Sequence, residues 1–126
     1  MAIHIYTKEG SSEYNYNAYD DPYEAIERAN KHLQGTNTYF TIVNDSVIVT
    51  IGNVKKTNSF MALPNDKGVN ATNDKASVEV RENYGGLTRV AVRTNDGKEV
   101  DLRIPNGKIT GTEFNNGQYN IIISRK

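Results

Sequence analysis

From Thr38 onward, apolar and polar residues alternate with a period of two and almost no helical period intervenes. That period sends successive side chains to opposite faces of a strand. TYFTIV and SVIVTIG flank Asn44-Asp45, a hairpin dipeptide. Phe60 to Pro64 is a short apolar run, and Asn65 to Asp74 reads as a polar loop that is the flexible segment of the chain. ASVEVRE, LTRVAVRT, KEVDLRI, ITGTEF and YNIIISR follow, punctuated by Tyr84-Gly85-Gly86, Asn95-Asp96-Gly97, Pro105-Asn106-Gly107 and Asn115-Asn116-Gly117. Asp-Gly and Asn-Gly are strong hairpin signals because glycine takes positive φ at little cost. The spacing of about ten residues per strand and turn is that of a β-meander.

The N-terminal part opens on the same period. Ile3 and Ile5 face one way, His4 and Tyr6 the other; a turn at Lys8–Ser11 leads to a second alternating run, Glu13 to Tyr19. DDPYEAIERANKHLQG then switches to a helical period. Asp21 can cap, Pro22 suits the first helical position, and Glu24 completes a capping box. Ile26, Ala29 and Leu33 form one apolar stripe, and Gly35 supplies a left-handed stop. These signals predict a helix over about 22–34. The predicted fold is α+β: a single domain, 1–126, mostly antiparallel sheet with one principal helix. It divides into a ββαββ half, 1–58, and a β-meander half, 59–126.

Composition narrows what such a domain does. The 126 residues include 15 basic and 15 acidic side chains, no cysteine and no tryptophan. Zero cysteine excludes a disulfide framework, a zinc–thiolate site and a thiol nucleophile. Zero net charge argues against direct nucleic-acid binding, whose affinity rests on neutralising many phosphates. No apolar stretch approaches the roughly 18 residues of a membrane span, and MAIHIYTKEG lacks a basic-then-apolar leader, so the expected location is cytoplasmic. Apolar residues make up only 37% of the chain, so a thin core could lean on a second subunit.

Enzyme motifs are absent. There is no GxSxG elbow, no HExxH and no phosphate-cradling glycine pattern. The only histidines are His4 and His32, and the acids Asp20, Asp21, Glu24 and Glu27 are explained by the helix start. No catalytic residue, metal site or cofactor is predicted.

The arginines are distributed unevenly. Five of six lie in the second half: Arg81, Arg89, Arg93, Arg103 and Arg125. By strand parity Arg81, Arg89, Arg93 and Arg103 share one sheet face, opposite Val78, Val80, Val90, Val92, Val100, Leu102 and Ile104. Guanidinium forks suit phosphates and carboxylates and stack on rings. Tyr84 beside the glycine pair is a candidate stacking platform, and Arg125 a further charge partner. Glu79, Glu99 and Asp101 lie close in sequence, so an ordinary solvated face is the competing reading. Tyr6, Tyr14, Tyr16, Tyr19 and Tyr23 form a second cluster, suited either to packing of the first hairpin or to an interface. Ile121, Ile122 and Ile123 are apolar on both faces, as in a strand covered on both sides or paired across a dimer.

Small size, neutral charge, the capped DPYEAIERANKHL and the short strands of LTRVAVRTNDGKEVDLRI and YNIIISRK resemble phage-encoded counter-defence proteins. The resemblance is one of general build. It implies either an anti-Thoeris-like sponge that sequesters a nucleotide-derived signal with strand arginines, often as an oligomer, or an anti-CRISPR-like inhibitor of a Cas nuclease or toxin. The expected function is therefore non-enzymatic sequestration of a small anionic, nucleotide-like ligand by a homo-oligomer, in the host cytoplasm if phage-encoded, with no membrane partner. A protein inhibitor of a host defence effector, or a phage structural or assembly component, are the alternatives.

Overall fold

The computed structural model describes residues 2–10, 13–63 and 66–125. Among them are eleven strands and one helix. β1 (Ile3–Glu9) and β2 (Asn15–Tyr19) precede α1 (Pro22–Lys31). β3 (Thr38–Val43), β4 (Ser46–Gly52), β5 (Lys56–Leu63) and β6 (Asp66–Thr72) follow, then β7 (Ala76–Tyr84), β8 (Leu87–Thr94), β9 (Lys98–Pro105), β10 (Lys108–Asn115) and β11 (Gln118–Ser124). They form two open sheets, with orders β2-β1-β9-β8-β7-β6-β5 and β10-β11-β4-β3, and all the pairings are antiparallel.

The architecture is mostly β, and the predicted α+β description overstates a ten-residue helix. Helix signals were strong because they are local: Asp21 Oδ1 accepts from the Tyr23 N–H at 3.0 Å and Pro22 leads the first turn. They fix where a helix starts, not how much of the core it supplies. α1 ends earlier than expected, with His32 as C-cap. From there His32 and Leu33 donate to Ala29 and Asn30, tightening the chain into turns before Gly35 at φ +80°.

The inner faces share one core. Ile3, Ile5, Val78, Val80, Val90, Val92, Val100, Leu102 and Ile104 come from the large sheet, and Phe40, Val47, Val49, Ile51, Tyr119, Ile121 and Ile123 from the small one. Ala25, Ile26, Ala29 and Leu33 close one end. The predicted halves interleave: β1 pairs with β9, and β4 with β11. The 59–126 segment is thus not one meander, since β10 and β11 leave the large sheet after the Asn106-Gly107 turn. Ile122 lies half-buried opposite Ile48, while Ile121 and Ile123 are fully buried.

The expected loop 65–74 is largely β6; Asn65 lies outside the described residues, as does Ser11 of the expected first turn. Polar composition hid a strand whose inward positions are only Val69 and Ala71. Gly68 lets the Phe60 ring from β5 lie across it where a Cβ would collide.

Side chains tie the layers together. Glu82, buried on β7, accepts from the Lys67 N–H at 3.1 Å and the Ile109 N–H at 2.6 Å, so one carboxylate joins β6 of the large sheet to β10 of the small one. Asn73 donates to the carbonyls of Thr36 and Gly52 and accepts from the N–H groups of Lys75 and Ala76.

Candidate anion-binding face

Strand pairing turns sequence parity into rows on the outer face of the large sheet. His4, Arg103, Arg89, Arg81 and Gly68 stand opposite one another across β1-β9-β8-β7-β6. Tyr6, Asp101, Ala91, Glu79 and Asn70 make the next row, and Lys8, Glu99, Arg93, Ser77 and Thr72 the third. Arg81, Arg89, Arg93 and Arg103 therefore share this face, and three of them are directly opposed on neighbouring strands.

Like charges directly opposite one another destabilise a sheet. Carboxylates offset this only in part, because Asp101 and Glu99 are each shared between two cations. Asp101 accepts from Arg89 Nε at 2.7 Å through Oδ2 and from Arg103 Nε at 3.2 Å through Oδ1. The hydrogen bond to Asp101 raises the Arg103 pKa above its ordinary value, against the opposing effect of burial. Glu99 lies 3.9 Å from Lys8 and 3.8 Å from Arg93, and accepts from Tyr14 Oη at 2.7 Å. Arg81 forms no ion pair among the described residues, and its buried Nε has no hydrogen-bond partner. These rows carry five cations (Lys8, Arg81, Arg89, Arg93, Arg103) and three carboxylates (Glu79, Glu99, Asp101), an excess of two positive charges.

Tyr84 reaches this face through a defect in the ladder. Strict alternation would send it inward beside Glu82. The register of β7 with β8 slips between Arg81 and Tyr84, where Asn83 takes φ +56° and donates to Asp66. This bulge leaves Glu82 inside and turns Tyr84 outward. The Tyr84 ring then lies 5.1 Å from the Arg89 guanidinium and 5.3 Å from that of Arg103, within cation–π range, and Tyr6 lies 4.6 Å from Arg103 on β1. Tyr6 in turn contacts Tyr16 at 4.8 Å between ring centroids.

Beside Arg89 the face dips. The small side chains of Ala91 and Ser77 leave a depression of about 280 Å³, walled by Arg89, Arg93, Asn70, Thr72 and Glu79. That approaches the roughly 300 Å³ at which ligand clefts begin. Two guanidinium groups and one carboxylate with no ion pair among the described residues border it. No protein family, curated protein or solved structure matches the chain.

Arg125 stands apart from the other predicted site residues. It follows β11 in the small sheet, where its backbone N–H binds the Asp45 carbonyl. Only its residue type allies it with the others, and the sheet switch after β9 separates it. Tyr6 falls among the tyrosines in sequence and beside Arg103 in space, because β1 pairs with β9 and nothing local indicates that pairing. Among the described residues no cluster of three metal-ligating side chains occurs, and no helix is long and apolar enough to cross a membrane.

Proposed function

We propose that the outer face of the seven-stranded sheet binds a small anionic, ring-bearing ligand of nucleotide type and holds it without converting it. The observation that carries this reading is the Arg81–Arg89–Arg103 row with a single carboxylate between two of its members and the Tyr84 ring against both. Such a row costs stability in the free protein, and a bound anion relieves it. In this reading phosphate oxygens engage Arg81, Arg89, Arg93 and Arg103, and a planar base stacks on Tyr84, which is 39% exposed. Glu79 accepts from a hydroxyl or amine of the same ligand. A counter-defence sponge, as the general build suggests, would make the ligand a nucleotide-derived signal, in the host cytoplasm.

Calorimetry with ADP at low and high salt tests the site. Arg89→Ala, Arg93→Ala and Arg103→Ala are each expected to weaken binding about tenfold or more while leaving the fold intact, since a charge-assisted hydrogen bond contributes about 1.5–3 kcal/mol. Affinity equal to wild type in all three variants overturns the assignment. With eight tyrosines and no tryptophan, a co-purified nucleotide would also raise the 260/280 nm ratio visibly.

A protein-inhibitor role is the second reading. It is favoured by a groove of about 430 Å³ between β5–β6 and β10, with Met61 on its wall 63% exposed. A nucleotide-insensitive complex with a larger host protein on pull-down would support it over the first.

A further inference from the structure

The two sheets have four edges, and three of them are protected against strand addition. On β3, Asn30 of α1 occupies the backbone groups of Phe40, donating to its carbonyl at 3.0 Å and accepting from its N–H at 2.8 Å. β10 carries Lys108 and Glu113 and a register shift between Ile109 and Gly111. β5 carries Lys56 and a shift between Met61 and Leu63. Charges, bulges and covering elements are the devices that keep sheet edges from pairing with other chains.

Among the described residues β2 has none of them. Its sequence is Asn-Tyr-Asn-Ala-Tyr, without charge, proline or bulge, and it ends the seven-stranded sheet. Asn15, Tyr16, Asn17 and Ala18 are all exposed. Tyr14 and Tyr23, just before and after the strand, are 51% and 61% exposed, and Tyr16 is 50%. Tyr16 is held on one side by His4, whose Nδ1 lies 2.6 Å from its Oη, and by the Tyr6 ring, and Tyr14 is held by Glu99, yet about half of each ring stays open to solvent. Exposed tyrosine gives contact area at low entropic cost, which suits an interface.

We propose that β2 pairs with β2 of a second copy, antiparallel about a two-fold axis at Asn17. The strand is self-complementary in that register. On the outer face Tyr16 of each copy stands across from Ala18 of the other, so no two rings collide at the seam and Tyr16 keeps its contacts with His4 and Tyr6. Asn17 faces Asn17, and the two amides can bond to each other. An isologous contact of this kind uses up the open edge, so assembly stops at two. The dimer extends the large sheet without a break and sets the two arginine faces side by side on one surface. The inference stands independently of ligand binding.

Sedimentation of the full chain from about 1 µM to about 1 mM is the test, because a five-residue edge is a small interface and the dimer should depend on concentration. The mass is expected to rise from 14.1 kDa toward twice that value. Asn17→Asp is nearly isosteric, sets like charges opposite each other across the axis, and is expected to weaken the dimer by up to about fivefold. Hydrogen exchange on the wild-type protein gives a second readout that needs no variant: protection of Asn15–Ala18 should grow with concentration. A monomer at every concentration, assembly beyond two, an unaffected Asn17→Asp dimer, or concentration-dependent protection on β10 instead of β2 would each overturn the proposal.

Discussion

Replacing Asp101 by Asn should make the protein less stable and its arginine face more avid for anions. Asp101 is 7% exposed and holds two guanidinium groups, Arg89 at 2.7 Å and Arg103 at 3.2 Å. The amide keeps the shape and loses the charge. Two charge-assisted bonds become weaker ones while three opposed arginines keep their repulsion, which costs about 2 kcal/mol in this partly shielded setting. For a chain of this length that lowers Tm by about 6–8 °C. Binding moves the other way. A phosphate on the far side of either guanidinium would sit about 7 Å from the carboxylate, where an effective dielectric of about 20 and physiological salt leave about 1 kcal/mol of repulsion. Removing it should strengthen ADP binding about fivefold. Thermal unfolding and calorimetry on one preparation measure both effects. A variant that binds ADP more weakly would refute the reasoning, because Asp101 would then be shaping the arginines for the ligand rather than competing with it.

Two further outcomes follow from the geometry. Glu82→Gln leaves one acceptor oxygen for two backbone donors, and the Ile109 N–H is buried; urea unfolding should show a loss of about 1–3 kcal/mol, and a change under about 0.5 kcal/mol would mean the carboxylate does not hold the sheets together. Tyr14 donates to Glu99, which raises its pKa above 10.0, with burial and the charge of Glu99 adding to the shift. The folded state therefore holds that proton more tightly than the unfolded chain. The contribution to stability is complete below pH 10.0 and fades as pH rises through the raised value. Absorbance titration near 295 nm should show a late-titrating tyrosine that disappears in Glu99→Gln.

Local signals were readable in the sequence and long-range pairings were not. Strand parity put Arg81, Arg89, Arg93 and Arg103 on one face because each lies in an uninterrupted alternating run, and Pro22 and Asp21 marked the helix start. The glycines beside Tyr84 mark it in the sequence, yet parity alone would bury it. The left-handed Asn83 that turns it outward is a one-residue event no period reveals. β6 reads as a loop in the sequence because its inward positions carry only two apolar side chains. Tyr6 and Asp101 meet across a pairing of chain segments nearly a hundred residues apart, and no local propensity encodes that meeting.

The interleaving of the halves governs when this protein can exist at all. β1 has β2 beside it early but gains its second neighbour only once β9 has been made, and β4, already paired with β3, waits for β11. A nascent chain leaving the ribosome therefore holds half-built sheets until β11 has emerged. Closure of such distant segments is slow, on the order of milliseconds to seconds. Removing β11 would strip β4 of a neighbour rather than trim an appendage.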